Sequence, residues 1–502
     1  MKIAVEGCAH GQLEKIYDTI KCLEEKENIK IDLLLCCGDF QTSRNEEDLT
    51  CMAVPPKYYD MCSFYKYYSG EKTAPILTIL IGGNHEASNY LQELPYGGWV
   101  APKIYYMGYA GVVNVAGVKI GGISGIYKCQ DLMKGHHEIC PYDNSTKRSV
   151  YHVRNLEIFR LKQVTKPIDI FLSHDWPTNV TDFGDKEQLI RFKPHFKEDI
   201  AMKKLGSKPC EDLLNTLKPK FWFSGHLHCK FAALIPHEND KYTKFLALDK
   251  CLPKRRFLQV FDIPHDEEEE IKIKYDLEWL TILMTTNHLL STTQMSNIIP
   301  TRYSNERYCF KPLEEEKNIV LSKLENDLTV PENFVQTAKP YVNNTNKVQL
   351  KQPGPLQNPQ TTYLCKLLSI DDPIELILRN SGESFSESNL SLKTNDSSVL
   401  NSDNNSEEMI EEPSFINDTV EEDSSLSDSK ISRSTLSLPE PKNNSQDLFF
   451  IDTEPSSREN SSKRKSDDEN SVMESENVAL NNSNPKKFKR RNFNIYSNEH
   501  NS

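Results

Sequence analysis

The feature that most constrains this chain is a series of short apolar runs, each ending in a small cluster of residues able to do chemistry. Residues 2–5 lead to Cys8 and His10, residues 31–37 to Gly38-Asp39, and residues 76–81 to Gly83-Asn84-His85. Farther on, residues 168–172 lead to His174, and residues 221–223 to Gly225-His226-Leu227-His228. Runs of that length, rich in Ile, Leu, Val and Phe, predict strands buried on both faces. Between them, Leu13, Ile16, Tyr17, Ile20 and Leu23 recur at helical spacing, as do Leu213, Leu214 and Leu217 before Pro219. Strands alternating with helices predict a layered α/β domain, and polar clusters at strand ends place a site along one sheet edge.

That domain accounts for only part of the 502 residues. All four Trp lie within the first 279 residues, whereas the stretch after residue 370 is dominated by Ser, Asn, Asp and Glu. Such a composition buries too little apolar surface to offset its chain entropy. Residues 371–502 carry 27 Asp+Glu and 14 Lys+Arg, which equals the whole-chain net charge of -13, so residues 1–370 are neutral overall. The acidic balance belongs to the tail and does not exclude a nucleic-acid partner for the body. The 13 Cys are odd in number and follow no regular frame, which predicts a reduced cytosolic or nuclear compartment. The start lacks a secretory pattern, and no apolar run reaches the roughly 20 residues of a spanning helix, so no membrane association is expected. The division read from the sequence is 1–235, a smaller C-terminal module at 236–378, and a disordered acidic tail at 379–502.

Cys8, His10, Asp39, Asn84, His174, His226 and His228 are all residue types that bind divalent metals. Cys8/His10 and His226/His228 are i, i+2 pairs, which in extended backbone point to one side. Seven ligands are too many for one tetrahedral ion and suit two ions sharing a carboxylate, for which Asp39 is the natural bridge. Each element has a plainer explanation when taken alone. A buried Cys is usually a small hydrophobe, a His at a strand end usually a hydrogen-bonded structural residue, and Gly-Asp or Gly-Asn usually a turn. Five such clusters in order, each after a predicted strand, shift the balance toward a metal site.

The ordered set Cys8-Ala9-His10, Gly38-Asp39-Phe40, Gly83-Asn84-His85-Glu86, His174 and Gly225-His226-Leu227-His228 resembles the signature of calcineurin-like metallophosphoesterases. Cys8 departs from the Asp of the wider superfamily and resembles the lariat debranching enzymes instead. The opening 1–11, the block 121–127, and the stretches 151–155 and 173–177 agree with that family too. The resemblance implies a calcineurin-like β-sandwich flanked by helices at 1–235, and a debranching-enzyme C-terminal domain at 236–378. It implies one ion held by Cys8, His10, Asp39 and His228, and another by Asp39, Asn84, His174 and His226. His85 is the expected proton donor to the departing 2′ oxygen. The sulfur of Cys8 favours Fe(II) or Zn(II), with Mn(II) as a substitute. The implied partner is branched intron lariat RNA.

Selectivity for a branch requires surface beyond the metals. Residues 124–154 lie between two ligand clusters and carry Tyr127, Lys128, Lys134, His136, His137, Arg148, Tyr151, His152 and Arg154. Cations suit phosphates and rings suit bases, and by resemblance this is the lariat recognition loop. Lys254-Arg255-Arg256 is a second basic run, equally well read as a solvated turn. Lys463-Arg464-Lys465 and residues 486–491 resemble a two-part nuclear localisation signal, so a nuclear address is expected. Two other functions stay open at this point: a general phosphatase or nucleotide phosphodiesterase with the same ligands, and an RNA-binding scaffold without turnover.

Overall fold

The computed structural model describes residues 1–343 and 350–383. Among the described residues thirteen strands run in chain order as β1 (Lys2–Glu6), β2 (Leu33–Cys36), β3 (Leu77–Leu80), β4 (Gly98–Ala101), β5 (Ile104–Tyr106), β6 (Ala110–Val115), β7 (Val118–Ile123), β8 (Ile170–Ser173), β9 (Phe221–Ser224), β10 (Phe231–Pro236), β11 (Tyr242–Ala247), β12 (Leu258–Asp262) and β13 (Ile273–Tyr275). They form two mixed sheets of order β12-β1-β2-β3-β5-β4 and β10-β11-β9-β8-β7-β6-β13. Within the first, β1, β2, β3 and β5 are parallel, with Ile3 opposite Leu33 and Leu35 opposite Ile79. Within the second, β7, β8 and β9 are parallel.

The apolar runs are continuous because alternate residues of each strand enter different cores. Ile3, Val5, Leu33, Leu35 and Ile79 face Ile120, Ile170, Leu172 and Phe223 between the sheets. The intervening Ala4, Leu34 and Leu80 pack outward on Leu13, Ile16, Tyr17 and Ile20 of the helix Leu13–Glu27. On the far side, Phe171 and Trp222 meet Leu213 and Leu214 of the helix Lys208–Leu217. The result is a β-sandwich with helices on both outer faces, as the resemblance implied.

The chain beyond residue 235 is built into both sheets. Residue 235 itself lies inside β10, β12 completes the first sheet against β1, and β13 pairs with β6. The helices Leu277–Thr285, Glu314–Lys323 and Pro359–Leu368 cover the second sheet through Leu280, Ile282, Val320 and Leu364. Pro373 stands at the first turn of a separate last helix, Pro373–Ser381, which continues three residues past 378. The acidic Ser/Asn-rich stretch and its basic clusters, from 384 onward, lie outside the described residues. Among the described residues no helix is long and apolar enough to cross a membrane.

Candidate metal centre

Parallel strands bring their carboxyl ends to one edge, and the expected ligands follow those ends: Cys8 and His10 after β1, Asp39 after β2, Asn84 after β3, His174 after β8, and His226 and His228 after β9. The extended geometry expected for the i, i+2 pairs is not what the chain adopts. His10 (φ 42), Asp39 (φ 49), His226 (φ 64) and His228 (φ 48) are all left-handed, so each cluster is a tight turn rather than a strand extension. His226 accordingly turns toward His174, ring centroids 5.0 Å apart, while His228 meets His10 at 5.0 Å. Left-handed L-residues cost about 1 kcal/mol or more each and persist where surroundings over-determine them.

Glu86 supplies much of that constraint. Its buried carboxylate accepts the N–H groups of Phe40 (2.8 Å), Gln41 (2.8 Å) and Gly83 (2.9 Å), tying the Asp39 turn to the Asn84 turn. Burial, reinforced by Asp39, raises its pKa to about 7. Glu86 was visible as the fourth letter of a motif, but its work as a clamp was not. Two glycines answer to close approach. A Cβ on Gly38, at φ +102, would stand 2.4 Å from His174 Nδ1, and one on Gly83 would stand 2.3 Å from Asp39 Oδ1.

The donor set fits a cation. One ligand atom each from Cys8, His10, Asp39 and His228 lie within 4.8 Å of one another, and His10 Nε2 stands 3.0 Å from His228 Nε2. Burial holds His10 down at about 4, and His226 and His228 at about 3, so these imidazoles present lone pairs at neutral pH. Cys8 is pushed well up by burial and by Asp39, and its Sγ accepts the His226 N–H at 2.9 Å. Burial works against the Asp39 charge, but His174, His85 and His10 outweigh it and hold its carboxyl well below the usual range. Asp39 Oδ1 accepts the N–H groups of Asn84 and His85, both at 2.9 Å, whereas Oδ2 is buried without a hydrogen-bond partner among the described residues. On the other flank the Cys37 carbonyl can only accept, so His174 Nδ1 donates to it at 2.7 Å. That aims His174 Nε2 at Asn84 Oδ1 and Asp39 Oδ1, each 3.2 Å away. An unsatisfied carboxylate oxygen beside the lone pairs of His10 and His228 and the sulfur of Cys8 is a surplus of electron pairs, which a borderline-soft divalent cation satisfies. His85 is half-buried, its ring 5.5 Å from that of His10.

Residues 1–230 match the calcineurin-like phosphoesterase family, and residues 240–373 match the lariat debranching enzyme C-terminal domain. The lariat debranching enzyme of Drosophila pseudoobscura pseudoobscura is 53% identical over 427 residues, covering 76% of this chain and 79% of its own. Lariat debranching enzyme A of Xenopus laevis is 56% identical over 378 residues, 74% of this chain and 71% of its own. The Homo sapiens lariat debranching enzyme is 53% identical over 390 residues, 76% and 71%. The chain belongs to the lariat debranching enzyme family.

In this member of the debranching family the segment 124–154 is less free than its composition suggested, and three of its expected RNA ligands are corrected. His136 is buried, stacked on Tyr109 at 3.9 Å and set 3.2 Å from Glu157. His152 Nδ1 lies 2.7 Å from Asp131 Oδ2. Arg154 is 1% exposed and donates to Glu138 at 2.6 Å and to the carbonyls of Asp131 and Ser149. Of these, Arg154 neutralises an internal carboxylate, and the two imidazoles lie inside beside others. Lys134 is paired with Asp131 at 2.7 Å, and His137 Nε2 lies 3.5 Å from Glu138. Lys128 and Arg148 are exposed, and Tyr127 and Tyr151 half-buried.

The debranching-enzyme C-terminal domain grips this segment on two sides. Gly135 and His136 donate backbone N–H groups to the carbonyls of Thr293 and Ser291, and Asn297 donates to that of Met133. Gln352 accepts the Tyr142 N–H and donates to the Tyr142 carbonyl, both at 2.7 Å, as a neighbouring strand would. No local signal in the sequence marks Gln352 for this contact, which spans 210 positions.

Proposed function

We propose that this chain hydrolyses the 2′,5′ phosphodiester at the branch of excised intron lariat RNA, returning the lariat to linear RNA for turnover, with two divalent cations and in the nucleus. The observation that carries the reading is the convergence of Cys8, His10, Asp39 and His228 within 4.8 Å, in a chain of the debranching family. Cys8, His10, Asp39 and His228 would hold one cation, and Asp39, Asn84, His174 and His226 the other. When bound, such cations supply positive charge to a phosphate and acidity to water. The sulfur of Cys8 favours Fe(II) or Zn(II), with Mn(II) as a substitute.

The chain's own groups then have distinct work. Asp39 divides its two oxygens between the flanks, Oδ1 toward His174 and Asn84 and Oδ2 toward His10. The Cys37 carbonyl fixes the His174 ring so that only one nitrogen is offered to the site. His85 would give a proton to the departing 2′ oxygen as water attacks from the opposite side. Lys128, Arg148, Tyr127 and Tyr151 are the groups of the 124–154 segment left to meet phosphates and bases.

Synthetic branched RNA, a linear 3′,5′ RNA and a simple phosphomonoester, each offered with Fe(II), Zn(II) or Mn(II), test the proposal. Selective release of the 2′,5′ branch is expected. Turnover of the monoester alone would overturn the substrate, and no turnover by metal-loaded protein would favour a binding scaffold.

A further inference from the structure

The basic turn at 250–256 starts at the metal centre. Lys250 pairs with Cys8 in a parallel bridge, and the Cys251 N–H donates to the Cys8 carbonyl at 3.0 Å. The turn is closed by Asp249 N–H to the Arg256 carbonyl at 3.1 Å and Arg255 N–H to the Leu252 carbonyl at 3.1 Å, with Lys254 left-handed at φ 66. Gly7 secures its far end by donating to the Phe257 carbonyl at 3.1 Å. The turn is therefore a rigid continuation of the loop that carries Cys8 and His10, and its tip, Lys254 to Arg256, is exposed.

Three of its four cations are unspent. Arg255 is paired with Asp249 at 3.2 Å, but among the described residues Lys250, Lys254 and Arg256 form no ion pair. This contrasts with the 124–154 segment, where Lys134, His152 and Arg154 are matched to Asp131 and Glu138. Lys250 acts electrostatically on His10 and His228, and Lys193 and Arg255 act on Cys229, the residue next to His228. Beside Lys193, at the end of the helix Lys186–Phe192, the Phe192 ring is 74% exposed. Lys193 Nζ itself lies 5.9 Å from the Phe196 ring centroid. Unpaired cations along a rigid turn are the charged element of a single-strand track, in which phosphates meet charge.

We infer that the turn 250–256 carries one RNA arm away from the branch on the Cys8 and His228 side of the metal centre. This rests on the debranching reading, because a branch joins three arms and the 124–154 segment occupies a different flank. Lys250 meets the phosphate nearest the branch, and Lys254 and Arg256 meet those farther along the same arm. The contacts are to the backbone, so they discriminate arm length and not base sequence.

The test is the variant K254A/R256A, two exposed residues, neither of which is a proposed metal ligand. It is assayed on a minimal branched trinucleotide and on three substrates that each extend one arm. On one of the extended substrates the apparent KM should rise about tenfold or more, and the slope of log(kcat/KM) against log[salt] should flatten by about 1.4, the value for two lost phosphate contacts on a single strand. The trinucleotide should be turned over as by the wild type. An unchanged salt slope on all three arms would overturn the inference, as would an equal loss on the trinucleotide, which would place the turn's influence on the metal centre itself. Failure of the wild type to open any branched substrate would instead overturn the debranching reading, so the two failures are distinguishable.

Discussion

Arg154→Met separates a structural cation from an RNA ligand. Arg154 and Glu138 have side chains 1% and 0% exposed, and they meet through a single guanidinium nitrogen at 2.6 Å. Breaking a buried pair by removing one partner costs about 3–5 kcal/mol, because it strands the other charge. Since Arg154 Nε and Glu138 Oε2 have no partner among the described residues, the lower end, about 3 kcal/mol, is expected. Methionine keeps most of the apolar stem, so the loss is electrostatic rather than a cavity. The assay is urea unfolding of Arg154→Met, Glu138→Gln and the double variant, whose recovery of most of the loss would isolate the pair.

The pH dependence sharpens this. Burial would raise Glu138, but Arg154 most of all holds it below the usual carboxylate range. In the wild type that contribution is present above the unfolded pKa and is lost as pH falls through the folded one. In Arg154→Met the stranded carboxyl takes up a proton instead, so the gap between the two proteins should narrow from pH 7 to pH 5. An unchanged urea midpoint together with weaker RNA binding would refute the argument and return Arg154 to the RNA surface.

Other outcomes follow from single contacts. His85→Ala should keep its metal content and branched-RNA affinity while losing about 10²-fold or more in hydrolysis, followed by elemental analysis and single-turnover rates; loss of metal would show that the ring holds the site together. Gln352→Ala should speed hydrogen exchange across residues 140–143 and raise KM for branched RNA, with little change in turnover of a small activated diester. Equal effects on both substrates would contradict a clamp confined to the recognition segment. Asp372 caps the last helix through the Ile374 N–H at 2.9 Å, and burial raises its pKa to about 6. For an acid raised in the folded state the penalty is absent below about pH 4, grows as pH rises from there toward 6, and is complete above 6. Asp372→Asn, which still caps, should gain up to about 3 kcal/mol at pH 7–8 and nothing near pH 4, read from thermal midpoints.

The parts of this molecule that were legible in sequence are those whose physics is local. Residues such as Leu33 to Leu35 read as strand because both of their faces are covered, and Asp39 and His174 as neighbours at one sheet edge because each follows such a run. The pairing geometry of Cys8/His10 and His226/His228 was misread because φ changes sign within four residues of a strand end, which no apolar pattern records. Composition also displays a cation without its partner. Arg154, His152 and His136 looked available for RNA until Glu138, Asp131 and Glu157 were placed beside them. Gln352 is the extreme case, an uncharged side chain whose contact depends wholly on tertiary structure.

The separation of the ligands along the chain has a consequence for the order of assembly. His10 and His228 come together across 218 positions, as do Cys8 and the His226 N–H, and β1 between them is completed only by β12. Contacts of such range form late, after the loop-closure entropy has been met by the sheets. A nascent chain offers a metal only short pairs such as Cys8/His10, too few donors to retain it. Unlike a zinc finger, in which the ion organises the peptide, this chain has to complete its sheets before the proposed ligands meet.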